Sequence, residues 1–442
     1  MKIQLSDHFT YRRLLRFTLP SITMMIFTSI YGVVDGFFVS NYVGKTPFAA
    51  VNFIMPFLMI LGGVGFMFGT GGSALISKTL GEGDPQRANR IFSLLIYLSV
   101  FSGLLLTLLG FLLLRPIAAA MGASGEMLEH CLSYGRIILL ATPAYMLQFE
   151  FQSFFVTAEK PQLGLFVTVL SGVSNMVLDW LFVAVFSWGL EGAAAATSFS
   201  QYLGAVVAFA YFFRQNSSLL RLGKTAFDGK AVLKTCTNGS SELMSNISMS
   251  LIGMLYNIQL IRYAGEDGVA AYGVLMYVNM IFLAVFIGYA VGTAPVIGFH
   301  YGAGNREELR SLRIKSLVLI GIFSLAMLLA SEGLAKPLSL IFVSYDENLL
   351  ALTLRGFVIY SFSFLFSGIA IFGSSFFTAL NNGLVSALIS FLRTLVFQVA
   401  AVLLLPLLWG IDGVWLSIVA AELMAAVVTA VFLFALRKKY GY

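Results

Sequence analysis

The sequence predicts an all-α integral membrane protein, with twelve transmembrane helices in two six-helix lobes around a central cavity. Three observations carry that prediction. The chain is 59% hydrophobic and 11% charged, whereas a soluble protein of this size needs about 25% charge to cover its surface. Apolar runs of about 18 residues or more recur along the chain, long enough to cross a bilayer as helices. The punctuation of the first half returns in the second at an offset of 221 residues, half of the 442-residue chain. Open sheets would leave backbone groups unpaired in lipid, and the runs lack the alternation of a β-barrel strand.

Breakers and charge clusters place the spans. The first, 14–40, is bordered by Arg12, Arg13 and Arg16 and contains Pro20; it lacks a small-residue cleavage site and reads as a permanent helix. Gly44 and Pro47 lead into 47–72, and GEGDPQRANR separates that span from 91–114. The fourth and fifth, 129–155 and 162–187, meet at AEKPQ; Trp188 and Gly189 precede the sixth, 192–213. The longest polar connection, 214–236, sits at the centre of the chain and is expected to be a cytoplasmic linker between lobes 1–213 and 237–442. Beyond it lie 237–263, 269–295, 314–335, 350–376, 383–406 and 413–436.

Charge orients the bundle. Twenty of the 27 Lys and Arg residues fall at the N-terminus from Lys2, in the second, fourth and eighth loops, in the linker and in the Arg437–Lys439 tail. Basic loops stay on the cytoplasmic side, so both termini are expected there. The net charge of +6 therefore reports topology, and nucleic acid is not an expected partner. Cys131 and Cys236 fit no metal or redox spacing, and His8, His130 and His300 are scattered. No cofactor and no enzymatic activity are expected, and a monomer is expected.

The repeat is detailed. Gly44 matches Gly265, Gly71 matches Gly292, Gly81 and Gly83 match Gly302 and Gly304, and Pro116 matches Pro337. Trp188, Gly189 and Gly192 match Trp409, Gly410 and Gly413. Six helices per repeat is even, so both repeats enter from one side, related by an axis along the membrane normal with substrate between them. That arrangement points to a transporter.

Ionisable residues inside spans are costly and need a reason. Counting about 1.5 Å per residue from the outer helix ends puts Asp35, Asp179 and Thr197 roughly 8–13 Å deep. Asn175 lies one turn below Asp179 on the same face. Oxygen ligands of this kind suit a hard cation such as Na+, and two close carboxylates favour a shared proton. The second half substitutes Tyr256, Val396 and Ala400 for Asp35, Asn175 and Asp179, so this chemistry belongs to one lobe. Pro20 on the helix of Asp35 is a candidate hinge, because proline removes a helical hydrogen bond; a static kink is the other reading. Arg393 and Glu422, each about ten residues into a span, fit either a buried ion pair holding the second lobe or a substrate contact. Glu242 fits either an electrostatic role at the start of its helix or the wall of the central cavity. Glu150 is expected to reach the membrane interface.

Taken in order, GVVDGFFVSNYVG at 32–44, TLGEGDPQRANR at 79–90, NMVLDW at 175–180 and WGLEGAAAATSFSQ at 188–201 resemble the multidrug and toxic compound extrusion (MATE) family. GFHYGAGNREELR at 298–310 and WGIDGVWLS at 409–417 extend the resemblance over nearly the whole chain, and NGSSELMSNISMS at 238–250 is similar to its bacterial multidrug efflux branch. The fourth loop departs from the family pattern, with Gln152 and Val156 in FQSFFVTAEKPQ. The resemblance implies two lobes in a V and export of amphipathic organic cations coupled to Na+ or H+. It implies a cation site on Asp35, Asn175, Asp179 and Thr197, with the family's proline at Pro20. The alternatives are a lipid-linked sugar flippase of the same superfamily and a polytopic membrane enzyme.

Overall fold

The computed structural model describes residues 3–343 and 346–442, without the side chains of Lys45, Ile341 and Phe342; Lys2, counted above with the basic N-terminus, lies outside them. Every regular element among the described residues is helical. Twelve helices cross the bundle: α1 (Tyr11–Val43), α2 (Lys45–Gly81), α3 (Pro85–Ala120), α4 (125–157), α5 (Pro161–Val185) and α6 (Gly189–Phe213), then α7 (229–264), α8 (266–302), α9 (Arg306–Val343), α10 (Glu347–Ala379), α11 (383–409) and α12 (411–435).

The repeat is visible in the backbone. Gly44 and its partner Gly265 have φ of 118° and 63°, and Gly189 and Gly410 have φ of 63° and 57°. An L side chain is strained at such angles, so each pair reverses the chain at equivalent hairpins without a loop. Capping follows the same rule. Asp84 accepts Arg87 N at 2.9 Å at the start of α3, and its counterpart Asn305 accepts Glu308 N at 3.1 Å at the start of α9. Both fourth helices are interrupted at matching places: α4 at Ala141, just before Pro143, and α10 by a 3-10 turn at Ser361–Ser363.

The helices outrun the predicted spans at the linker-bearing end. α2 continues to Gly81 rather than 72, and α7 starts at Gly229 rather than 237. Hydropathy marks the edge of the lipid, whereas capping decides where a helix ends. Asp228 accepts Lys230 N and Ala231 N, both at 3.1 Å, so the last eight residues of the expected linker are already helical. Glu242 consequently lies more than three turns inside α7. Its reading as an N-terminal charge is corrected, because the helix dipole acts within the first turn.

Lipid offers no hydrophobic drive between helices, so lobes join where backbones approach closely. Repeat-matched Gly81 and Gly302 do this at the crossing of α2 and α8. A Cβ on Gly81 would lie 2.0 Å from the Phe299 carbonyl oxygen, and one on Gly302 would lie 2.0 Å from that of Lys78. Gly71 meets Thr235 O, and Gly239 meets Met67 O, in the same way. Asn381, held at φ 56°, donates to Ala74 O of the first lobe at 3.0 Å and accepts from Asn238 at 2.7 Å. Toward the other end, α1 meets α8 through Thr18, Ile22 and finally Ser29, whose hydroxyl donates to Met280 O at 3.4 Å. Beyond it Gly32 faces open space. Among the described residues these contacts between the lobes therefore run from the linker-bearing end to Ser29 and Met280.

Candidate functional site

The four depth-counted residues converge within the first lobe, on α1, α5 and α6. Thr197 donates to Asp35 Oδ1 at 3.4 Å, and Asn175 Nδ2 donates to Thr197 Oγ1 at 3.4 Å. The carboxyl groups of Asp35 and Asp179 lie within hydrogen-bonding reach of each other. Asp179 is fully buried, Asn175 nearly so, and Asp35 and Thr197 are half-buried. The path into the pair is thus from the Asp35 side.

Local sequence accounts for the placement. Asn175 and Asp179 are one turn apart on the buried face of α5, which also carries Gly164, Thr168, Ser171 and Gly172. A Cβ on Gly172 would meet the Phe27 ring at 2.5 Å, so glycine there lets α1 approach α5. Both aspartates sit just before π-helical turns, Val39–Val43 in α1 and Trp180–Val185 in α5. Such turns recur at functional sites because they re-aim side chains.

Electrostatically the pair is unbalanced. Neither aspartate forms an ion pair with Lys, Arg or His among the described residues, and neither Asp179 oxygen meets a donor. Two facing carboxylates out of water need a proton or a cation between them. The donor set fits a hard cation, with carboxylate, amide and hydroxyl oxygens from three helices. Among the described residues no three His, Cys, Asp or Glu side chains come together as a metal-binding group. A cavity of about 560 Å³ opens at the surface beside Val43, Glu126, His130, Ser133 and Glu191, next to the C-terminal end of α1 and the start of α6.

Two tyrosines of this site were not picked out from the sequence. Tyr31 and Tyr134 lie within electrostatic reach of Asp35, and Tyr134 also of Asp179. Depth counting along α4 would have found Tyr134, but a tyrosine inside a span attracts less notice than an acid. Glu150 requires a correction. It is fully buried in α4 beside Ser99, not at the interface, because α2 crosses over it at Gly69.

In the second lobe, Tyr256 donates to Gln398 Oε1 at 2.9 Å. This neutral pair joins α7 and α11, the counterparts of α1 and α5, where the first lobe has acids. Arg393 donates through Nε to both Glu422 oxygens, at 3.1 and 2.9 Å, with both side chains largely buried. Glu242 is half-buried and within electrostatic reach of Arg393. Pro20 is buried inside a continuous α1.

Comparison with known proteins places these features in a family. The MatE family pattern matches residues 20–181 and again 243–404, one copy in each lobe. Multidrug export protein MepA of Staphylococcus aureus (strain MSSA476) is 24% identical over 97% of this chain and 94% of its own length. A solved structure described as the outward-facing conformation of a multidrug resistance MATE family transporter superposes with a TM-score of 0.91. It has 23% identity and covers 98% of both chains. A MATE structure in a bent conformation superposes with a TM-score of 0.87, at 22% identity, covering 99% of this chain and 98% of its own.

Proposed function

The chain belongs to the MatE family of multidrug efflux transporters, and on that premise we propose that it is a secondary antiporter in which Na+ or H+ entering from outside drives export of amphipathic organic cations. The observation that carries the coupling is the facing pair of half-buried Asp35 and fully buried Asp179, which has no basic partner among the described residues. The pair holds one proton or one Na+, with Thr197 and Asn175 supplying the remaining oxygens. Loading neutralises charge between α1 and α5, and unloading restores the repulsion. Coupling follows when ion and substrate prefer different lobe arrangements.

Pro20 is the proposed hinge. It interrupts the hydrogen bonding of α1 between the inter-lobe contact at Thr18 and the acid at Asp35, so a change of charge at Asp35 can be relieved by bending there. Inter-lobe contacts gathered toward the linker-bearing end favour a cavity loaded from the opposite side in this state. The basic residues near the linker and both termini support a cytoplasmic assignment for that end. Arg393 with Glu422 and Glu242 supplies the one charged group inside the second lobe proposed to contact substrate.

The test is efflux from proteoliposomes with independently imposed Na+ and pH gradients. Wild type should export an organic cation dye when one gradient is imposed, and Asp35→Asn should lose that dependence. An Asp35→Asn variant driven at the wild-type rate by the same gradient would remove the coupling site. Efflux in the absence of either gradient would remove antiport.

A further inference from the structure

We propose that the end of the molecule bearing the linker carries a binding site for the phosphate headgroup of an anionic lipid, between the start of α3 and residues 219–225. The segment is not a loose tether. Leu220 and Leu222 alternate into the first-lobe core and are almost fully buried, while Arg221, Gly223 and Lys224 turn outward. Its backbone is pinned along α3: Arg221 N donates to Asn89 Oδ1 at 2.6 Å, Gly223 N to Ser93 Oγ at 3.0 Å, and Asn89 Nδ2 to Leu219 O at 3.2 Å. Thr225 donates to Arg90 O at 2.8 Å and Tyr97 to Gly223 O at 3.1 Å.

Between strap and helix lies a cavity of about 330 Å³, lined by Asn89, Arg90, Ser93, Arg221 and Lys224 among others, with no acidic residue in its wall. None of the three cations forms an ion pair among the described residues. The acids nearest in sequence, Asp84 and Asp228, cap α3 and α7. Three uncompensated cations around a preformed cavity call for an anion with several acceptor oxygens.

The surroundings select a lipid over a free ion. Arg90 stands on the same face of α3 as Tyr97, Phe101, Leu104 and Leu108, at spacings of seven, four, three and four. Those four side chains are 40%, 66%, 60% and 59% exposed. A cationic cavity at the head of an outward apolar stripe has the shape of an amphiphile: the phosphate sits in the cavity and an acyl chain runs down α3. Basic pockets at membrane-helix ends take headgroups by this chemistry.

The experiment measures lipid retention by the purified full-length protein, using native mass spectrometry after exchange into phosphatidylglycerol or phosphatidylcholine. Wild type should retain phosphatidylglycerol preferentially. Arg90→Gln, Arg221→Gln and Lys224→Gln should each weaken retention about fivefold, and together about a hundredfold. The tail triple Arg437→Gln, Lys438→Gln, Lys439→Gln, which leaves the cavity intact, should retain it normally. Equal loss in the tail variant, or full retention in the cavity triple variant, overturns the site. Displacement of the lipid by millimolar inorganic phosphate overturns the lipid assignment.

Discussion

Replacing Gly81 with alanine tests whether the seal between the lobes is a direct backbone contact. The added Cβ would lie 2.0 Å from the Phe299 oxygen and 2.9 Å from the Ala303 nitrogen. Carbon approaches a carbonyl oxygen to about 3.3 Å, so α2 and α8 must part by about 1.3 Å at this crossing. A helical carbonyl cannot swing aside as a flexible side chain can. Overpacking of this kind costs about 1–3 kcal/mol. The cost falls on the arrangement that contains the contact, so the ratio of inner-closed to inner-open protein should drop about 5- to 150-fold. The assay is electron–electron distance measurement between spin labels on Gln86→Cys and Glu307→Cys, exposed residues of opposite lobes beside the seal, in a background lacking Cys131 and Cys236. Gly81→Ala should add a population at longer distance, and Gly302→Ala should do the same from the other side. Gly83→Ala is the control: its φ is 83° but nothing lies within 4 Å of its Cβ. Distance distributions unchanged in Gly81→Ala, or shifted equally by Gly83→Ala, would refute the close-contact seal.

Three further outcomes are expected. Arg393→Ala should destabilise the protein by about 3–5 kcal/mol because it strands buried Glu422, whereas Arg393→Met with Glu422→Leu should recover most of the loss; thermal unfolding of both in one detergent checks this. Thr197→Val keeps the volume and removes the hydroxyl facing Asp35. The hydroxyl donates to the unloaded carboxylate, and a hydrogen bond to a charged group contributes about 1.5–3 kcal/mol; at 3.4 Å the low end applies, so where H+ is the coupling ion its half-saturating concentration in efflux should fall about tenfold. Asn381→Ala should weaken the seal more than Asn381→Gly by about 1 kcal/mol, since both lose the bonds to Ala74 and Asn238 but only alanine carries the left-handed penalty; the same spin-label pair reports it.

Much of the candidate site was legible because lipid makes acids conspicuous. Asp35 and Asp179 stand out against apolar neighbours, and a constant rise per residue turns sequence position into depth. That is how residues 162 positions apart, Asp35 and Thr197, could be grouped before their contact was seen. Glu150 failed the same reasoning. Position along α4 says nothing about which helix crosses over it, and α2 buries it completely.

The sequence by itself determined the membrane class, the count of helices, their duplication and the grouping of Asp35 with Asn175, Asp179 and Thr197, because composition, run length and repeat spacing are properties of the chain alone. Tertiary structure decided what those elements meet. Gly81 and Gly302 read as loop punctuation, yet they form a close backbone approach between the lobes, since a missing Cβ matters where another helix arrives. For Arg393 and Glu422 the sequence offered an ion pair as one of two readings, and the structure brings the two side chains to 2.9 Å. Contacts between distant segments depend on helix rotation and crossing, which the packing of all twelve helices sets together.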